Sequence, residues 1–174
     1  SLLYLAKMLI AGEDPKFIAR RLVILAAEDI GLANPNALLL ANSGMDAVHK
    51  LGMPEARIVL SQITCYLAAS PKSNSAYVAI NKAIESVREN GEFEIPIHLR
   101  NASSKLMKEL NYGTDYLYPH DYPAGYIEQE YMPTKFIGYK FFEFGDNNNE
   151  RRIQKNLKDL KGKNRHSRQN KEGS

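Results

Sequence analysis

The sequence has little that could cross-link it or anchor it in a membrane. It contains one cysteine, Cys65, and no tryptophan. A single cysteine excludes an intramolecular disulfide and a cluster of thiolate metal ligands. The apolar residues around Cys65 predict a small buried side chain rather than a reactive thiol. Charges such as Lys7 and Arg20 interrupt every apolar run, and no secretory signal pattern opens the chain, so we expect a reducing, cytoplasmic compartment and no membrane span.

Motifs that bind nucleotides or metals at fixed spacing are also missing from the sequence. It has no GxxxxGK[ST], no GxGxxG after a strand, no HExxH and no paired CxxC. A loop that holds phosphate needs closely spaced glycines whose amides approach the anion, followed by Lys and Ser or Thr. Gly162-Lys163 lacks the upstream glycine. We therefore predict no catalytic residue, no metal ligand and no cofactor in this chain.

Charge is distributed unevenly along the chain. The formal net charge is +3, but residues 150–174 contain nine Lys or Arg and three Asp or Glu, a net of +6, which leaves −3 for the rest. The body is therefore mildly acidic, and the basic pI belongs to the tail. Because the sequence starts at Ser1 inside an apolar run and without Met, we expect a fragment of a longer protein.

Proline residues divide the first half of the chain into helix-compatible runs. Pro15, Pro35, Pro54 and Pro71 each precede such a run, and proline fits the first turn of a helix. Asp14 and Asn34 are predicted N-caps for two of these helices. The first predicted helix runs from Leu2 to Ile10, and the second has an apolar face formed by Phe17, Ile18, Leu22, Leu25 and Ala26. A central helix contains Ile58, Ile63, Cys65, Tyr66 and Leu67. A further helix is predicted from Ser73 to Asn90, with Tyr77, Ile80, Ile84 and Val87 along it and Gly91 as its C-terminal stop.

The second half of the chain is rich in tyrosine and proline and has little periodicity. A helix is predicted from Ser103 to Leu110, followed by a Tyr- and Pro-rich wrap over the core. Phe136 to Phe144 suggests a short strand or hairpin, and Glu150 to Leu160 a further helix. Lys161 to Ser174 is predicted to be disordered.

The predicted fold is all-α. We expect a helical bundle of about five antiparallel helices over residues 1–95. Residues 96–146 are expected to add a short helix and the Tyr- and Pro-rich wrap to the same domain, and residues 147–174 to form a basic, partly disordered tail.

Three polar residues suggest a metal site or an acid–base pair. His98 and His120 lie in Pro-flanked irregular segments, next to Asp121 in the second case. A ligand site would need a third donor that points inward. Hydrogen bonds from the imidazoles to backbone carbonyls are the favoured alternative, and a small hydrolase using these residues is the weakest hypothesis.

Several cationic residues are candidates for contacts with DNA or a partner protein. For Arg20 or Arg21, an ion pair with Glu28 or Asp29 is the favoured alternative. Glu28 and Asp29 could themselves be paired carboxylates, but adjacent residues of a helix point about 100° apart rather than sharing a proton, so a salt bridge or cap at the helix end is preferred. Lys72 lies in the segment from Ser70 to Asn74, whose free amides could bind an anion. Helix capping alone, however, explains the presence of Ser73 and Asn74. The full set of candidates is Arg20, Arg21, Lys72, Arg100, Lys105 and Lys108.

Four segments resemble the C-terminal region of the RarA/MgsA family of AAA+ ATPases, which is related to the Werner-helicase-interacting ATPase and to clamp-loader subunits. They are GEDPKFIARRLVILAAEDIGLANP, PEARIVLSQITCYLAASPKSNSAY, PIHLRNASSKLMKELNYG and YPHDYPAGYIEQEYMP. The resemblance extends from about Leu2 to Phe144, and ASSKLMKEL differs from the proline-containing form of the family. The tail from Asn147 has no matching segment.

The resemblance implies an all-α collar that joins AAA+ subunits, with homotetramers expected. It also implies a longer, DNA-dependent ATPase that acts at stalled replication forks and in recombination and repair, binds ATP and Mg²⁺, and partners single-stranded-DNA-binding protein in a bacterial nucleoid. The Walker motifs of the family lie N-terminal to the residue that matches Ser1. The alternative hypothesis is a stand-alone nucleic-acid-binding helical domain that uses Arg20, Arg21, Lys72 and the basic tail.

Overall fold

The computed structural model describes residues 1–101, 103–122 and 125–169, with the backbone alone for residues 108 and 163–169. In these residues the protein is all-helical, as the sequence predicted, and contains no strand. The α-helices in chain order are α1 (Leu2–Ile10), α2 (Pro15–Leu25), α3 (Asn36–Leu51), α4 (Ala56–Ala69), α5 (Ser75–Asn90), α6 (Lys105–Glu109) and α7 (Asn148–Gln169). The 3₁₀-helices are Gly31–Ala33, Ile97–Leu99, Pro119–Asp121 and Thr134–Phe136, and Ala26–Ile30 is a π-helix.

The chain divides into two compact units. The first contains residues 1–82 and 141–152, and the second contains residues 83–140 and continues again from residue 153. These limits differ from those that the sequence suggested, which were 1–95, 96–146 and 147–174. That three-part domain organisation stays a prediction.

The first unit is a bundle in which α4 packs against α1, α2 and α3. Its interior consists of two apolar clusters, one toward α1 and one toward the π-helix. Leu60 and Ile63, on α4, are almost completely buried and belong to one cluster each. The members of the two clusters are Leu5, Ile18, Ala19, Val48, Ala56 and Leu60, and Ala26, Ile30, Ala37, Ala41, Ile63 and Leu67.

The helix starts follow the sequence signals in part. Asp14 accepts a hydrogen bond from the backbone N–H of Lys16 at 3.0 Å, and Pro15 is the first residue of α2, as predicted. The predicted N-cap at Asn34 is wrong, because α3 has no side-chain cap. The Asn34 amide instead donates to the hydroxyls of Tyr66 and Ser70 on and after α4.

Some side chains predicted to be buried are exposed. Cys65 is exposed, which corrects the prediction of a buried thiol, and Ile58 of the same helix is 62% exposed. Phe17 on α2 is 39% exposed. The periodicity marks a helix correctly in each case, but α2 and α4 bury a narrower face than their apolar content suggests.

The second unit contains more irregular backbone than the first. Phe93, Phe136 and Tyr139 form edge-to-face ring contacts, with centroids 4.9 Å and 5.6 Å apart. The side-chain amide of Gln129 donates to the carbonyl of Leu117 at 2.9 Å and accepts from its N–H at 3.2 Å. Aromatic rings and side-chain amides thus stabilise this segment in place of backbone ladders, as the Tyr- and Pro-rich composition predicted.

Three predicted elements of the second half need correction. The helix predicted from Ser103 to Leu110 is shorter and covers Lys105–Glu109. The strand predicted at Phe136 to Phe144 is wrong, since a 3₁₀-turn at Thr134–Phe136 leads into irregular backbone. Helix α7 continues to Gln169, beyond the predicted end at Leu160, while the disorder predicted from Lys161 stays a prediction, and residues 170–174 lie outside the described part.

Candidate functional site

The predicted anion site before α5 contains a carboxylate of the protein itself. Glu150 has 0% exposure, and its carboxylate accepts hydrogen bonds from the N–H of Gly145, from the Asn147 amide at 3.0 Å and from the Ser75 hydroxyl at 3.2 Å. Ser73 also hydrogen-bonds to it. Glu150 therefore occupies the start of α5, where the sequence suggested that an external anion could bind.

Hydrogen bonds keep the buried Glu150 carboxylate ionised. Burial alone would raise the pKa of Glu150, but the hydrogen bonds from Ser73, Gly145, Asn147 and Ser75 outweigh it, so the pKa lies below the usual value. In the sequence, Glu150 lies at the edge of the basic tail. The spacing of Asn147 and Glu150 is a signal for the start of α7, because the Asn147 side chain caps this helix by accepting from the Glu150 N–H at 2.9 Å.

A second contact joins the same region to the π-helix. The backbone N–H of Ser73 donates to the carbonyl of Asp29 at 2.8 Å. Gly31 has a φ of +46°, and a Cβ there would lie 2.8 Å from the Ser73 carbonyl oxygen. Only glycine fits this approach of two backbone segments.

The two arginines of α2 carry their charge on the surface. Both are exposed, and no ion pair joins either of them to Glu28 or Asp29, so the predicted pairing is wrong. The Arg20 guanidinium lies 5.3 Å from the centroid of the Phe17 ring. A role of Arg20 or Arg21 in contacts with DNA or a partner stays a prediction.

Lys72 is bound to the end of α4. Its ammonium donates to the carbonyl oxygens of Leu67 at 2.7 Å and of Ser70 at 3.2 Å. The Leu67 carbonyl also accepts from the backbone N–H of the C-cap residue Ser70 at 3.3 Å, and a cation at a helix C-terminus is favourable. The structure therefore gives Lys72 a capping role, and its contact with DNA stays a prediction.

The cationic residues of the second unit fall into different surroundings. Arg100 donates to the Ile95 carbonyl at 2.7 Å and pairs with Glu94 at 2.9 Å. Hydrogen bonding to Tyr112 first, and then to Glu94, raises the pKa of Arg100. Lys105 is exposed at the start of α6, and the side chain of Lys108 lies outside the described part.

The histidine hypothesis gains no support from the geometry. A ring nitrogen of His98 hydrogen-bonds to the Glu130 carbonyl at 2.8 Å, which confirms the favoured backbone role. His120 stacks at a tilt on Tyr118, with centroids 5.0 Å apart, and Asp121 is exposed. Among the described residues, no three His, Cys, Asp or Glu side chains could hold a metal ion together.

Helix α5 presents an apolar stripe to solvent. Tyr77, Ile80, Ile84 and Val87 recur at intervals of three and four residues, so they share one face of the helix. They are 45%, 55%, 41% and 47% exposed. Among the helices of the described residues, none is long and apolar enough to cross a bilayer.

An all-helical chain in which an apolar face remains exposed is the kind of module that associates with further protein. Comparison with known families gives the class: the model of the family described as "MgsA AAA+ ATPase C terminal" matches residues 1–161. The chain belongs to this family of C-terminal domains of AAA+ ATPases.

Curated relatives agree with the family assignment. The chain is 42% identical over 143 residues to replication-associated recombination protein A of Coxiella burnetii, a match that covers 82% of this chain and 32% of that protein. It is 38% identical over 143 residues to the protein of the same name in Escherichia coli K12, with the same two coverages. It is 41% identical over 142 residues to ATPase WRNIP1 of Dictyostelium discoideum, covering 81% and 16%. The chain thus spans about a third or less of these relatives.

Proposed function

We propose that this chain is the C-terminal oligomerisation module of a DNA-dependent AAA+ ATPase that acts in replication-fork maintenance, recombination and repair. The module forms homotetramers and catalyses no reaction itself. The longer protein binds ATP and Mg²⁺ upstream, contacts DNA and single-stranded-DNA-binding protein, and works in the bacterial nucleoid. The names of the relatives, which refer to replication-associated recombination and to an ATPase, support this role.

The apolar stripe of α5 is the observation that carries the proposal. Its spacing of three, four and three residues is that of the seam between paired helices. Apolar side chains of this size, clustered on one face and left in water, mark protein interaction sites. A second copy of the chain would cover Tyr77, Ile80, Ile84 and Val87 with the same four residues, as a two-fold symmetric contact requires.

Light scattering coupled to gel filtration tests the proposal. The chain has a mass of 19.6 kDa, so a tetramer of four copies has a mass of 78.4 kDa. We expect this mass for the unmodified chain. The double substitution Ile80→Glu and Ile84→Glu places charge in the seam, and we expect it to give a lower mass with unchanged helical circular dichroism.

Val78→Glu is the matched control. Val78 is also an exposed apolar residue of α5, at 37%, but it lies about 160° around the helix from Ile80. We expect this variant to keep the mass of the unmodified chain. If the unmodified chain is a monomer at all concentrations, the oligomerisation role is contradicted. If Val78→Glu dissociates the oligomer as the double substitution does, the assignment of the contact to the stripe is contradicted.

A further inference from the structure

A cavity of about 400 Å³ lies between α1, α2 and α4, within the first unit. Its walls are mainly apolar and include Leu5, Ile18, Leu22 and Leu67. The volume falls in the range of small-ligand sites. At about 30 Å³ for each water-sized group, it can hold a molecule of about a dozen non-hydrogen atoms.

One residue of the cavity wall has an unsatisfied polar group. Thr64 lines the cavity and is 8% exposed, and its hydroxyl has no hydrogen-bond partner among the described residues. A helical threonine commonly donates to the carbonyl one turn earlier, and Thr64 does not. Because a buried polar group without a partner costs folding free energy, a ligand that offers it a hydrogen bond would be favoured.

A cation lines the same cavity. The Lys72 ammonium carries three N–H donors, of which two reach Leu67 and Ser70. No carboxylate forms an ion pair with it in the described part of the chain, and no acidic residue lines the cavity. Thr64 lies one helical turn before Leu67, the residue that Lys72 contacts, so both polar groups belong to the same end of α4.

We propose that this cavity binds a small amphiphilic carboxylic acid. The apolar body of the ligand fills the space among Leu5, Ile18 and Leu22. Its carboxylate accepts hydrogen bonds from the Thr64 hydroxyl and from the remaining N–H of Lys72. None of the four residues of the α5 stripe lines this cavity, and the proposal does not depend on the oligomerisation role.

Calorimetric titration of the chain with 4-phenylbutyrate tests the proposal, because this acid has the required size and chemistry. The neutral 4-phenylbutyramide has the same shape and is the matched ligand. We expect the acid to bind saturably with a Kd in the millimolar range or below, and the amide to bind at least about fivefold more weakly than the acid. Lack of saturation by the acid overturns the proposal, and equal affinity for the two ligands removes the role of Lys72.

Variants of α4 assign the binding to the cavity. Ala68→Leu fills the cavity and should abolish binding, whereas Ala69→Leu, next to it and outside the lining, should not. Thr64→Val keeps the shape of the side chain and should weaken binding about fivefold. Since it removes an unsatisfied hydroxyl, it should also raise the Tm by about 2–4 °C. Unchanged affinity in both Ala68→Leu and Thr64→Val overturns the proposal.

Discussion

At the scale of single residues, Glu150 joins distant parts of the first unit. It accepts hydrogen bonds from Ser75, far away in the sequence, and from Gly145 and Asn147 close by. These donors, which the protein holds in place, take over the hydrogen bonds that water would make to the carboxylate. Helix N-termini favour negative charge, and Glu150 lies at the start of α7 and against the start of α5.

The lowered pKa of Glu150 predicts a dependence of stability on pH. Because the pKa is lower in the folded than in the unfolded chain, Glu150 contributes stability above its unfolded pKa, and this contribution is lost as the pH falls through the folded pKa. We expect Glu150→Gln to lower the free energy of unfolding by about 1–2 kcal/mol at pH 7 and to reduce the further loss below pH 4.5. Urea unfolding of the unmodified chain and of the variant, at pH 7 and below pH 4.5, measures the effect.

Glu143→Gln is the control for this prediction. The Glu143 side chain is 75% exposed and forms an ion pair of 3.6 Å with Lys82. An exposed ion pair contributes little, so we expect a change of about 0.5 kcal/mol or less at pH 7. If Glu150→Gln changes stability no more than this variant does, Glu150 does not hold the first unit together.

Local residue roles could be predicted from the sequence, and distant ones could not. Asp14 caps α2 and His98 binds a backbone carbonyl, as their immediate neighbours indicated. The burial of Glu150 escaped prediction because its partner Ser75 lies 75 residues away. Cys65 was misjudged for a related reason: apolar neighbours in sequence do not decide which face of α4 is covered.

At the scale of elements, α3 and α4 approach closely at a glycine. Gly44 lies within α3, and a Cβ there would collide with the side chain of Ile63 on α4. Ile63 is 1% exposed and packed in the core, so it has little room to move. Close helix packing at this point therefore depends on the missing side chain.

Gly44→Ala is expected to destabilise the chain. Alanine favours a helix over glycine by about 1 kcal/mol, but the collision with Ile63 should exceed this gain and leave a net loss of about 1–3 kcal/mol. Gly162→Ala is the control, because Gly162 is also helical and has no atom within 4 Å of an added Cβ. We expect it to be neutral or stabilising in thermal unfolding. A gain of stability in both variants would contradict the close approach.

Helices were predicted better than the irregular second half. The bounds of α1 match the prediction, and α5 begins two residues later than predicted and ends at Asn90, before Gly91, as expected. These elements follow from local periodicity and from proline or glycine at their ends. The strand predicted around Phe136 to Phe144 failed because alternating aromatic residues fit a strand, whereas here Phe136 packs against Phe93 and Tyr139.

At the scale of the whole molecule, charge separates the tail from the body. The segment 161–174 contains five Lys or Arg and one acidic residue, so its removal lowers the net charge from +3 by 4 to −1. The remaining chain is acidic overall, although Arg20 and Arg21 are exposed on α2. Attraction to a polyanion should therefore depend mainly on the tail.

Deletion of residues 161–174 is expected to remove most of the weak, salt-sensitive affinity of the chain for DNA. Fluorescence anisotropy with a labelled oligonucleotide at low and moderate salt measures this. Arg20→Gln with Arg21→Gln, in the full chain, should have the smaller effect. The reverse order, with the arginines dominant, would favour the alternative of a nucleic-acid-binding helical domain and count against the acidic-body argument.

The hydrogen bond between Ser75 and Glu150 also has a consequence for synthesis of the chain. Because these residues are 75 positions apart, the first unit cannot complete its contacts until the start of α7 has left the ribosome. At about 5–20 residues per second, this delay is about 4–15 s. During that interval we expect α1 to α4 to exist as a nascent bundle whose last contacts are made only when residues 141–152 emerge.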